Sequence, residues 1–97
     1  MLALASGLIA GDLDLIAVAR KLNVFRGGVE PEIDALLNVF VAIHSETDAL
    51  PIGEERALWN AEALAREDRK ISAAEERWRH EAVGAATQLI RLLEQNS

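Results

Sequence analysis

A chain of 97 residues reads as one domain, residues 1–97, near the lower end of the usual size range, and such a chain buries about 60–65% of the surface its unfolded form exposes. An apolar content of 51% excludes a disordered chain, and two Trp, two Phe, no Tyr and two Pro favour helices over a sandwich or barrel. A net charge of −6 speaks against nucleic acid as a partner, and the absence of Cys excludes disulfides and thiolate metal sites.

The segment Met1–Gly11 carries no charge but lacks the basic start of a secretion signal, and it meets Asp12 too early to be one. No apolar run is long enough to cross a bilayer, so the expectation is a cytoplasmic protein with no membrane partner.

The first helix is predicted to run continuously from Leu4 to Phe25. Leu8, Leu15 and Leu22 recur every seven residues, with Ile16, Val18 and Ala19 on the same side. Asp12 would then project onto the apolar side, so the competing possibility is that Asp12 is an N-cap and the helix starts at Leu13. Gly7 and Gly11 each cost about 1 kcal/mol in a helix interior relative to Ala, and with Ala3 they form a small-residue stripe that would let another helix approach. Arg20, Lys21 and Arg26 suit the negative end of the helix dipole. Gly27-Gly28 then stops the helix.

The central helix starts at Pro31, whose missing N–H would be unpaired there in any case. Glu30, Glu32 and Asp34 favour the same end electrostatically. Ile33, Leu36, Leu37, Phe40, Val41 and His44 lie on one face, and Val39 and Ile43 widen the apolar arc to roughly 200°. Such a helix needs at least two partners and belongs in the middle of the core. It fades through Ser45–Asp48, and Leu50-Pro51-Ile52-Gly53 is the clearest break in the chain.

A third helix is expected to begin near Glu54, with Ala57, Leu58, Ala61, Leu64 and Ala65 as its buried stripe. The charged run Arg66–Lys70 separates it from a fourth, for which Ser72-Ala73-Ala74-Glu75 supplies a capping box. Against that break, Leu64, Ile71, Trp78, Ala85 and Leu92 keep a seven-residue spacing and no Gly or Pro lies between Gly53 and Gly84. Glu94-Gln95-Asn96-Ser97 is expected to fray.

Little in the chain resembles catalytic machinery. No Gly-rich phosphate loop, nucleophile elbow or Glu-x-x-His pair is present, and the sequence offers no catalytic residue, cofactor site or metal signature. The one ionisable group on the central apolar arc is His44, an ordinary core histidine unless Glu46 and Asp48 join it to hold a metal or a polar molecule. Offsets of two and four do not gather three side chains on one helix face, so only an unwound last turn could do so. Trp78 fits the core stripe. Trp59 does not, and lies either in an interface or beneath the loop at Pro51.

The reading is an all-α single-domain bundle of three to four antiparallel helices. Its expected function is that of a small acidic, non-enzymatic protein-interaction module of adaptor or inhibitor type. The module is expected to form a homodimer, with Gly7, Gly11 and Trp59 as candidate interface residues and room for a further protein partner. The alternative is a small-molecule or metal-binding protein, or an enzyme, with a site around His44 and Asp48. A bundle hides one stripe per helix, whereas Ile9, Leu13 and Val24 fall outside the main stripe of the first helix and call for a second copy to cover them.

Overall fold

The computed structural model describes residues 1–95. Four α-helices and one 3-10 turn form the domain: α1 (Leu2–Ala10), α2 (Leu15–Asn23), α3 (Pro31–Thr47), the turn Gly53–Leu58, and α4 (Ala61–Gln95). The helices pack antiparallel, with no strand among the described residues. Ala5 and Leu8 of α1, Leu15, Ile16, Val18, Ala19 and Leu22 of α2, Leu37, Phe40 and Ile43 of α3, and Ala82, Ala85, Ala86 and Leu89 of α4 share one core. Small residues dominate the α4 contribution, which lets three helices approach one rod closely.

The continuous first helix is not formed. Its chain breaks at Gly11, which takes the left-handed conformation (φ 82°) after Ala10. The Gly11 N–H donates to the Leu8 carbonyl and the Asp12 N–H to the Gly7 carbonyl, the paired bonds of a Schellman ending. Leu13 then folds back over Gly7, where a Cβ would meet the Leu13 side chain at 2.4 Å. Gly7 thus serves close packing within its own chain, and Gly11 ends its helix. Neither Asp12 nor Leu13 begins the second segment. Asp14 takes the extended N-cap position, without a side-chain capping bond, and Leu15 is the first helical residue. Breaking here removes the conflict that a continuous helix created, since Asp12 is exposed.

Helix α2 stops at Asn23, before the glycines, and successive turns carry the chain to Gly27 (φ 81°). The Gly27 N–H donates to Asp34 Oδ1 at 2.8 Å, tying this loop to the first turn of α3. Helix α3 has Pro31 in its first turn and the predicted extent. Its deepest positions are Ile33, Leu37, Phe40, Ile43 and Thr47, so the arc is centred nearer Ile43 than the six-residue row implies; Leu36, Val41 and His44 are half-buried. The Thr47 hydroxyl is satisfied by the Ile43 carbonyl at 2.6 Å.

The expected third helix is replaced by the 3-10 turn. Leu58, placed in a buried stripe by periodicity, is 88% exposed, and Ala57, Ala61 and Ala65 are exposed as well. The helical register restarts at Asn60, whose Oδ1 accepts the Ala63 N–H at 2.8 Å, the bond of an N-cap. From there α4 runs unbroken through Arg66–Ser72. The capping box at Ser72 is unused, because the backbone donors it would serve are already bonded within the helix. Ion pairs one turn apart, Lys70 with Glu67 and Arg79 with Glu75, run along the rod. Leu64, Ile71, Trp78 and Leu92 are half-buried and Ala85 is buried, so the seven-residue spacing describes the real seam. Glu94 and Gln95 are exposed and helical, and Asn96 and Ser97 of the expected frayed end lie outside the described residues.

Gly84 stands in the middle of α4 with nothing within 4 Å of the position a Cβ would take, and its φ is not positive. Gly84→Ala is expected to stabilise the domain by about 0.5–1 kcal/mol, through helix propensity and a less flexible unfolded chain. A rise in the urea midpoint at unchanged slope checks it.

Candidate interaction surface

The structure does not gather His44, Glu46 and Asp48. Helix α3 stays wound to Thr47, so Glu46 points away from His44 and is taken up by α4. The Trp78 indole N–H donates to the Glu46 carboxylate, which also pairs with Arg77. The Arg77 guanidinium lies over the Trp78 ring, 5.7 Å from its centre, completing a surface clasp between α3 and α4. His44 is half-buried, with Nδ1 enclosed and unpartnered. The Asp48 carbonyl accepts a bond from Arg20. Among the described residues no three His, Asp or Glu side chains are placed to hold a metal ion.

Arg20 is the residue that sequence reasoning placed wrongly. On α2 it looks like a favourable charge for that helix's own C-terminal end. Instead its Nη2 serves the end of α3, donating to the carbonyls of Thr47 (3.2 Å), Asp48 (3.3 Å) and Leu50 (2.7 Å). Its Nη1 donates to Glu55 at 3.0 Å, and the same Glu55 oxygen accepts the Ile52 N–H at 2.9 Å. The Ile52 N–H first and Arg20 second hold the Glu55 carboxyl below its ordinary range. These bonds pin the turn between α3 and α4. Arg56 continues the strap by a two-toothed pair with Asp68 (2.7 and 3.0 Å), which raises the guanidinium and lowers the carboxyl. No local sequence signal marks Arg20, since its partners lie 27–35 residues away.

The outer face of α1 is different in kind. Helix α1 has no ionisable side chain, although 27% of the chain is charged. A helix with no charged residue and a single polar side chain, Ser6, is normally covered over most of its circumference. Yet only Ala5 and Leu8 of α1 are buried, while Leu2 is 45% and Ile9 43% exposed, and Leu13 just beyond is 39% exposed. Further exposed apolar residues are Leu58 and Trp59 at the end of the 3-10 turn, with Trp59 38% exposed, and Val24 and Phe25 after α2.

The solvent side of α4 is grooved. One hollow of about 580 Å³ is lined by Glu76, Arg79, His80, Val83 and Gly84. A second of about 300 Å³, lined by Ser72, Glu75, Glu76 and Arg79, continues it. Burial first, and the Asp14 charge second, push the Glu75 carboxyl above its ordinary range against the pull of Arg79. Asp14, the N-cap of α2, thus acts on the same carboxyl as Arg79.

Compared with protein-family models, curated proteins and solved structures, the chain matches none. No helix among the described residues is long and apolar enough to cross a membrane.

Proposed function

We propose that this chain is a small, non-enzymatic protein-interaction module that self-associates. The observation that carries the reading is the uncharged outer face of α1, exposed at Leu2 and Ile9 and continued by Leu13. Leu2 and Ile9, seven residues apart, share one side of a helix that carries no charge, and an uncharged exposed helix face of this kind supports an interaction surface. The occupant proposed is a second copy. Each copy carries −6, so two copies repel through most of their surface and meet without like-charge contact on this face. Two-fold pairing is also the commonest closed arrangement.

Gly7 and Gly11 enter this reading differently from the small-residue stripe that the sequence suggests. Both have duties inside the chain, so substituting them would disturb the fold as well as any contact. Ile9 is the better probe. Size exclusion with light scattering across a hundredfold dilution range is expected to show a dimer of the 10.6 kDa chain. Ile9→Asp is expected to shift it to monomer with the helical spectrum retained. A parent chain that stays monomeric throughout overturns the reading. So does a monomer whose apolar face binds lipid vesicles.

A further inference from the structure

The second stripe of α4 has a charge order that is complementary to itself. Ser72, Glu76, Arg79 and Val83 recur at spacings of four, three and four, so they lie along one face, and Glu75 and His80 flank them. These residues line the two continuous hollows on the solvent side of the rod. The acids Glu75 and Glu76 come first along the helix and the bases Arg79 and His80 follow. Glu76 and His80 are exposed and make no ion pair or hydrogen bond with the other described residues. Arg79 reaches Glu75 only at 3.8 Å, with its side chain more than half exposed.

Resting on the self-association proposed above, we infer that α4 pairs antiparallel with α4 of a second copy along this stripe. In that register Glu76 faces Arg79 of the second copy and Ser72 faces Val83. A two-fold axis at the level of Arg77 and Trp78 generates each pair twice. Parallel pairing would set Glu76 against Glu76 and Arg79 against Arg79, so the charge order selects the antiparallel direction.

Reciprocal charge exchange tests the register. Glu76→Arg alone and Arg79→Glu alone each set like charges opposite one another twice. Each is expected to raise the dimer dissociation constant at least about tenfold, roughly two surface pairs reversed. The double variant Glu76→Arg/Arg79→Glu restores the dimer. Mixing the two single variants restores it as well. One chain of that heterodimer presents bases at both positions and the other acids at both, so every facing pair is again of opposite charge. Circular dichroism confirms that each single variant is folded. Should either unfold, Glu76→Gln and Arg79→Gln replace them, each expected to weaken the dimer about threefold. A parent dimer indifferent to these changes overturns the register and leaves self-association standing. Singles that dissociate without rescue in the mixture also overturn it. A monomeric parent overturns both.

Discussion

Replacing Phe40 by alanine is expected to destabilise the domain by about 3–5 kcal/mol, the range for deleting a buried aromatic side chain. Phe40 has no exposed surface and is the largest fully buried side chain. It lies on α3, which packs against both α2 and α4, so the void would open between three helices that cannot all close on it. Small residues on the facing side of α4 (Ala82, Ala85, Ala86) have no rotamer with which to refill the space. A loss of that size is a large share of the 5–15 kcal/mol typical of a domain. Urea denaturation at one fixed protein concentration checks it, since association would make apparent stability depend on concentration. A loss below about 1 kcal/mol would show that Phe40 is not the centre of the core.

Arg20→Met is the second large effect, expected at about 2–3 kcal/mol. Hydrogen bonds to a charged group contribute roughly 1.5–3 kcal/mol, and methionine keeps most of the aliphatic stem while removing every donor. What is lost is the cover on the Thr47, Asp48 and Leu50 carbonyls, two of which accept their Arg20 bonds in part-buried surroundings. The anchor of Glu55 goes as well. Arg20→Lys is expected to recover less than half, because one ammonium cannot bridge three carbonyls and a carboxylate as a planar fork does. Hydrogen exchange separates this loss from a general one. Protection should fall first between Leu50 and Leu58, whereas Phe40→Ala should lower it throughout the core. Uniform loss in the Arg20 variant would show that the strap has no local role.

Much of the fold was legible in the sequence because helix periodicity and chain breakers are local. The 3.6-residue repeat over Ile33–His44 and Pro31 at its head define α3 without reference to anything else. The break at Leu50–Gly53 and the antiparallel all-α arrangement follow from short connections between amphipathic segments. The exposure of Ile9, Leu13 and Val24 was readable in the same way, since no single stripe could cover them. His44 was readable as a residue of the α3 apolar arc, and the offsets of Glu46 and Asp48 already argued against a cluster.

Tertiary structure decided the rest, wherever two local signals of similar strength competed. Gly11 is compatible with a helix interior or a left-handed ending, and the choice depends on whether Leu13 has somewhere to fold. The space over Gly7 provides it. Ser72 and Asn60 are both fair N-caps. Asn60 prevails because the strap from Arg20, Glu55 and Arg56 fixes the chain as a 3-10 turn just before it. Once α4 has started there, nothing in Arg66–Ser72 can stop it. Leu58 is exposed because that strap breaks the helical register on which its predicted burial depends. Arg20 itself is invisible to any local rule, as its acceptors are backbone carbonyls of a different helix end. Backbone carbonyls are the same in every sequence, so a side chain that binds them leaves no pattern of residue types to read, and only the packed chain brings donor and acceptors together.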